Sequence, residues 1–563
     1  NVMKIVSLGI GLAVGLVLIA KVYFEQSYDD FYPDRDRVYQ VWAKYQQNGG
    51  ELKDYPQTSG GIAPTMQQQI PEIETVTRYT SFGDWTFTMT DTKMKYSGRC
   101  IIADSCFFDI LPRPMLIGNA KEVLSTPMYV LISSRIAKNI GGDVIGKNFT
   151  VDNSPGRTMT IGGVFEEVPE NSHSRYDVIV SMASAGRFMW EGSPTNMLGN
   201  DRYISYVKLH KGVNPLALEE QVRTFVNSYF PPEEQQKVGL SIDFSFHKLD
   251  NLHKELPQVK RMTWILSLLA FALIFTAVMN YILIVISSIV NRSKEVAVHK
   301  CYGASENNIH GMMFGEALVH IVLSLILALL LILAFRGTVE ELLATSLDSL
   351  LLSNGSLVLL GICILVFFVS GFMPGSLYAR IPVASAFRNY RENKRIWKKA
   401  LLLVQFVATG FLVTMLVFVA RQYTFMVNDR PGYAYENLAY CGLAGVDSTS
   451  RAKILDEVMR LPGVAAATTV YQLPFEHASG NNILLPGGTQ ELFNIADLYW
   501  VGNGYLDMME IPVIQGRSFT ENVTNSREVM VDRRFVEKMK LVAGWTDDVV
   551  GKDICVTEHS KWN

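Results

Sequence analysis

The sequence predicts a multi-pass α-helical membrane protein with two α+β extracytoplasmic domains. Three observations lead there. Five long runs are almost free of charge, which marks them as membrane spans. The long segments outside them mix β-branched alternation with helical periodicity. A set of short stretches recurs about 400 residues further on, which reads as an internal duplication: one helix and one outer domain, used twice.

Taken in order, residues 1–24 are the first membrane helix. The run "VMKIVSLGIGLAVGLVLIAKVYF" exceeds the ~7–15 apolar residues of a signal peptide, and no small-residue cleavage site follows it. Residues 25–260 form the first outer domain. There "YVLIS", "NFTV" and "MTIGGVF" read as strands, "SRIAKNI" as a helix start, and residues 216–237 as a helical patch broken at Pro231-Pro232. Residues 261–290, 311–336, 356–379 and 400–421 are the remaining membrane helices. Each holds the ~20 apolar residues that cross ~30 Å of hydrocarbon. Residues 291–310, 337–355 and 380–399 link them. Residues 422–563 form the second outer domain, expected to be incomplete, with "EVMVD" read as a strand and "RRFVEKM" as a helix. The chain opens inside a hydrophobic run and the second copy stops early, so a longer protein is expected.

Flanking charge sets the orientation. The 380–399 link carries Arg380, Arg388, Arg391, Lys394, Arg395, Lys398 and Lys399 against Glu392, so it is read as cytoplasmic. Parity places the 291–310 link, with Arg292, Lys294 and Lys300, on the same side. The 337–355 loop, with Glu340, Glu341 and Asp348, falls outside. A formal net charge of -3 gives no argument for a nucleic-acid partner.

The repeat pairs Phe107-Phe108-Asp109-Ile110 with Tyr505-Leu506-Asp507-Met508, and Gly118 with Gly516. It pairs Val130-Leu131-Ile132-Ser133 with Val529-Met530-Val531-Asp532, and Ile145-Gly146-Lys147 with Val550-Gly551-Lys552. The last pair disposes of a tempting motif. "GGDVIGKN" reads G-x-x-x-x-G-K, but Asn148 stands where a P-loop needs Ser or Thr for magnesium. A helix-like stretch precedes it and a strand-like one follows, the reverse of a phosphate-binding loop. It is read as a structural turn.

No catalytic or metal motif stands out, and no C-x-x-C pair occurs among the six cysteines. Cys100 and Cys106 form either a disulfide or two ordinary thiols. His247, His253 and Glu255 are read as scattered surface residues rather than a metal site, and His173 as a hydrogen-bonded loop histidine.

Residues 292–305, "RSKEVAVHKCYGAS", resemble the R-x-K-E-(V/I)-(A/G)-(V/I)-R-K-x-x-G-A segment of FtsX-like ABC-transporter permeases, the class that includes MacB. His299 and Cys301-Tyr302 depart from that pattern. "SYDDFYPDRDRVYQV" is similar to the entry of a MacB-like periplasmic core domain, and "LLLVQF", residues 401–406, to the start of the second half in two-domain members.

The resemblance implies a permease without ATPase chemistry or cofactor of its own. A separate cytoplasmic ABC ATPase would use the ATP and contact the permease through a coupling helix. Arg292, Lys294, Glu295, Val296, Ala297, Val298, His299, Lys300, Gly303 and Ala304 occupy that place. Lys294, Glu295 and Lys300 would pair across the interface, Val296 and Val298 would supply apolar contact, and Gly303 would end the helix in a left-handed turn. An ordinary charged helix end is the alternative. Glu316 and His320, one turn apart within a span, are candidate intramembrane functional residues or, for Glu316, a group reaching headgroups. Gly11 and Gly15 form a small-residue step for helix packing.

The implied protein sits in a bacterial inner membrane as a homodimer or heterodimer among lipids, and a periplasmic adaptor or effector is a further expected partner. It would export a drug, peptide or lipid-like substrate by mechanotransmission. The alternative is a non-transporting signalling protein that controls a periplasmic partner such as a cell-wall hydrolase. A receptor without any ATPase is a third reading, disfavoured by the basic links.

Overall fold

The computed structural model describes residues 2–47, 52–151, 156–199, 201–353, 355–379, 396–428, 432–443, 446–474, 479–487, 491–519 and 528–556. The chain divides into residues 1–412 and residues 413–563. Most of the basic link, with Arg380, Arg388, Arg391, Lys394 and Arg395, lies outside the described residues.

Helix α1 (Val2–Gln26) runs into a mixed domain. Its elements are β1 (Val38–Gln47), β2 (Lys53–Tyr55), α2 (Ile62–Gln69), β3 (Ile73–Met89), β4 (Lys95–Ala103), α3 (Phe107–Ile110), β5 (Met115–Ile117), α4 (Ala120–Ser125), β6 (Tyr129–Ser133) and α5 (Ser134–Ile140). There follow β7 (Asn148–Val151), β8 (Thr158–Phe165), β9 (Val178–Ser181), β10 (Ile204–Leu209), α6 (Glu219–Tyr229), α7 (Pro232–Val238) and β11 (Leu240–Lys248). The strands make one sheet in the order β11-β1-β10-β3-β4-β9-β6-β8-β5, with β2 on β1 and β7 bridging β3 and β8. Pairing is antiparallel except for β4–β9 and β6–β8.

Local chemistry explains these elements. α2 buries Ile62, Ala63 and Met66, and α6 buries Val222, Phe225 and Val226, spacings that put the apolar residues of each helix on one face. Both faces close one core with Val41, Val76 and Val207 of the sheet. Each fully buried side chain of that kind contributes about 1.5–3 kcal/mol. β6 buries Val130, Leu131 and Ile132 on both sides, as a central strand must. The helical patch over 216–237 does break at its prolines: α6 stops at Tyr229 and Pro232 opens α7 as a first-turn residue.

The membrane part of this unit is α1 with α8 (Pro257–Ser287), α10 (Glu306–Ala334) and α13 (Ser356–Ala379). The short α9 (Ile289–Cys301) lies between α8 and α10, and α11 (Arg336–Leu343) and α12 (Leu347–Leu351) between α10 and α13. Leu8, Leu12, Ile282, Ile286, Met313, Ile321 and Val366 form its core. A fifth long apolar helix, α14 (Ile396–Asn428), contains the span Leu402–Asn428.

In the second unit α15 (Ser448–Met459), β12 (Ser479–Leu484), β13 (Glu491–Leu498), α16 (Tyr505–Met508), α17 (Arg533–Ala543) and β14 (Cys555–Val556) give a three-stranded sheet, β13-β12-β14. The stretches paired in the sequence share local conformations. α3 and α16 are both four-residue helices. Gly118 and Gly516 have φ of 85° and 88°, and Gly146 and Gly551 of 77° and 82°. The Ser133 hydroxyl caps α5 by accepting from Ile136 N–H, as the Asp532 carboxylate caps α17 by accepting from Phe535 N–H. One expectation fails: "EVMVD" is not a strand, because Val529 to Val531 stay partly exposed with no neighbouring strand among the described residues.

Candidate functional site

The far end of the bundle, away from the large sheet domain, is built around α9. Where α8 ends, the Ser288 hydroxyl donates to Val285 O at 2.6 Å and lies 3.1 Å from the Tyr378 hydroxyl of α13. Helical spacing then buries Ser293, Val296 and Ala297 and exposes Lys294, Glu295, Val298 and His299. Val296 is only 1% exposed and packs in the bundle core, so its expected role as an apolar contact for a partner is corrected. The apolar surface offered outward is Val298, 44% exposed, and Tyr302, 89% exposed. Tyr302 was missed because the family pattern has no fixed residue there.

Tyr302 N–H, Gly303 N–H and Ala304 N–H donate back to Val298, Lys300 and His299 carbonyls at 3.0–3.1 Å. Gly303 has φ +90°, which closes α9 in the left-handed region. Ser305 then caps α10 by accepting from Asn308 N–H.

A cluster of four charged side chains ties this segment to the bundle. Arg292 donates to Glu295 at 3.1 Å and to Glu316 at 2.5 Å. Lys4 of α1 donates to the other Glu316 oxygen at 3.2 Å. Glu316 therefore does not simply reach outward; it joins α1, α9 and α10. Hydrogen bonds with Glu295, then with Glu316, raise the Arg292 pKa above its ordinary value, so this cation is permanent. One turn along α10, His320 Nδ1 lies 3.2 Å from the Tyr281 hydroxyl of α8. A Cβ on Gly11 would stand 2.3 Å from Ala277 Cβ, and one on Gly15 2.4 Å from Ile274 Cγ1. The glycine step thus seats α1 on α8 of the same chain.

The other end of α1 carries a second cluster. Lys21 pairs with Glu25 at 2.7 Å and donates to the Thr345 hydroxyl, beyond α11, at 2.7 Å. Glu25 pairs with His253 at 2.5 Å, and the His253 ring stacks on Tyr28 at 3.5 Å. The Ser346 N–H donates to Glu170 of the sheet domain at 3.0 Å. Asp29 accepts from the Ser172 hydroxyl at 2.8 Å and meets His173 at 2.5 Å, whose other nitrogen reaches the Tyr206 hydroxyl. Of these, Lys21, Glu25, Tyr28, Glu170, His253, Thr345 and Ser346 line a cleft of about 560 Å³.

The remaining sequence candidates are structural. Gly141 to Asn148 runs from α5 into β7, and Lys147 lies 3.9 Å from Asp91, so the loop has neither the element order nor the free lysine of a phosphate cradle. Cys100 and Cys106 are free thiols. His247 stacks on Trp42, apart from His253, and no metal-binding group occurs among the described residues.

Comparison with known proteins bears on this arrangement. Residues 3–225 match the model for the MacB-like periplasmic core domain, and residues 267–383 match the FtsX-like permease C-terminal model. No curated protein matches the chain. Among solved structures, a domain of a protein described as a permease from Porphyromonas gingivalis is 33% identical, over 38% of this chain and 91% of that one, at a TM-score of 0.36. The periplasmic region of MacB from Actinobacillus actinomycetemcomitans is 15% identical, over 37% and 87%, at 0.25. The extracellular domain of the noncanonic ABC-type transporter YknZ from Gram-positive bacteria is 11% identical, over 36% and 98%, at 0.27. With both domain models matched in order across more than half of its length, the chain belongs to the MacB-like, FtsX-like family of ABC-transporter permeases.

Proposed function

We propose that this permease converts ATP turnover in a cytoplasmic partner into movement of its periplasmic domain, in a bacterial inner membrane. The observation that carries the reading is that α1 is clamped at both ends. Lys4 holds it to Glu316 and so to Arg292 of α9, while Lys21 and Glu25 hold it to Thr345 and His253. Its 25 residues span about 38 Å at 1.5 Å each, enough to act as one rigid strut across the bilayer. α9 offers Val298 and Tyr302, flanked by Lys294, Glu295 and His299, as the face on which an ATPase would push. A push there biases two arrangements of the bundle, which is a population shift between states.

On this reading the ATPase holds the nucleotide, the permease works as a homodimer or heterodimer, and the output is export of a drug, peptide or lipid-like substrate. Matched left-handed glycines and helix caps support reading residues 422–563 as a second, diverged copy of the outer domain. The test is reconstitution with the co-purified ATPase. Gly303→Pro or Glu295→Pro should uncouple ATPase stimulation from substrate movement while the bundle stays folded. Intact coupling in both variants would sink the assignment of α9. ATPase coupling without substrate movement, but with activation of a periplasmic hydrolase, would favour the signalling role instead.

A further inference from the structure

The sheet domain contains a second cleft, of about 400 Å³. Arg99 of β4, Arg113 before β5, Arg135 of α5 and Arg175 before β9 line it, with Asp84, Glu167 and Asp177. The charges are not all matched. Asp177 is already engaged: it accepts from Arg99 N–H at 2.9 Å, the Ser133 hydroxyl at 3.3 Å and Arg135 at 2.5 Å. Arg135 also lies 3.7 Å from Glu167. Among the described residues, the guanidinium groups of Arg99, Arg113 and Arg175 form no ion pair with a carboxylate.

Arg113 is the unusual member. It is 5% exposed, yet its Nε has no hydrogen-bond partner. One nitrogen, Nη2, donates to Ser174, and the guanidinium sits 5.2–5.9 Å from the rings of Phe107, Phe108, Phe165 and Tyr176. Aromatic faces soften the burial of a cation but do not neutralise it. A buried charge is ordinarily paired, and an unpaired buried donor of this kind is unfavourable. A guanidinium fork held in place on one side and open to a cleft on the other is suited to an oxyanion.

We propose that this cleft binds a phosphate group, with Arg113 as its buried anchor and Arg99 and Arg175 as its exposed clamps. Arg175 also lines the cleft around Lys21 and Glu25 where α1 leaves the bundle. The phosphate can therefore belong to a lipid headgroup reaching up from the bilayer edge or to a soluble phosphate ester.

The test is calorimetric titration of the full chain in detergent, at fixed ionic strength. One arm uses inorganic phosphate and the other a soluble short-chain phosphatidylglycerol. The expected result is saturable binding in at least one arm, weakened roughly tenfold or more by the Arg99→Gln/Arg175→Gln double variant. Arg113→Gln should abolish it, and Asp84→Asn, which removes a nearby negative charge, should tighten it. Binding in both arms assigns a phosphate site open to soluble esters; binding of the lipid alone assigns a headgroup site. No saturable binding in either arm overturns the proposal. So does binding that the double variant leaves unchanged, and because Arg99 and Arg175 are exposed, that variant keeps the test decisive if Arg113→Gln fails to fold. None of these outcomes depends on a partner ATPase.

Discussion

Lys4 and Glu316 form an ion pair at 3.2 Å although 312 residues separate them in the chain. The pair joins the start of the first membrane helix to the third, and Arg292 completes it from α9.

Removing the carboxylate should be felt at a distance. Glu316→Gln leaves Lys4 and Arg292 facing each other without a counter-charge. A stability loss of about 1–3 kcal/mol is expected, since the pair is only partly buried. ATPase stimulation should fall more than the melting temperature does. The exchange Lys4→Glu with Glu316→Lys, which restores opposite charges, should recover part of both. A single-variant effect confined to stability would assign the cluster to folding alone.

Gly303 makes a backbone prediction. Nothing lies within 4 Å of where its Cβ would be, so the cost of substitution is conformational rather than steric. Gly303→Ala should cost roughly 1–2 kcal/mol, and Gly303→Asn less, because Asn tolerates the left-handed region. The check is the melting temperature of the purified chain alongside ATPase coupling, in that order of substituents.

Gly11 makes the opposite prediction. A side chain there meets Ala277 at once, so Gly11→Val should force α1 off α8 at a cost of about 1–3 kcal/mol. Gly11→Ala combined with Ala277→Gly exchanges which helix is small and should restore packing. Disulfide trapping between α1 and α8 measures the approach.

The contact between the 344–352 loop and the sheet domain should be acid-sensitive. Burial alone would raise the Glu170 pKa, but bonds from the Ser346 N–H and from the Ser346 and Ser349 hydroxyls outweigh it and hold the carboxyl below its ordinary value. A lowered folded pKa means that the stabilisation is complete above the unfolded value, about 4.3, and is lost as pH falls through the lower folded one. Hydrogen-exchange protection of residues 344–352, corrected for intrinsic rates, should be flat above about pH 5 and fall below about pH 4. Glu170→Gln should remove that acid step and hold protection above about pH 5 down near the level the unmodified chain reaches in acid.

The spans and the strands of the first outer domain were legible because both rest on local patterns, charge-free runs and alternation. α9 was legible from its family segment, but its facing was not. Val296 reads as an apolar residue on a charged helix; only the spacing with Ser293 and Ala297 shows that it turns inward. The clamps at the two ends of α1 could not be read at all. Lys21 meets Thr345 across 324 positions and Glu25 meets His253 across 228, and no periodicity reports such pairs. "EVMVD" shows the converse, a stretch with strand composition and, among the described residues, no strand to pair with, since β propensity is expressed only against a neighbour.

The Lys4–Glu316 pair also sets an order of events during synthesis. At roughly 5–20 residues per second, Glu316 emerges some 15–60 s after Lys4. During that interval the first helix carries an ammonium whose partner does not yet exist. Its seat in the bundle is completed only when the third span arrives, so chains halted before Glu316 should leave Lys4 open to amine-reactive labelling that the full chain resists. The first of these spans is therefore fully seated only once two more have been made.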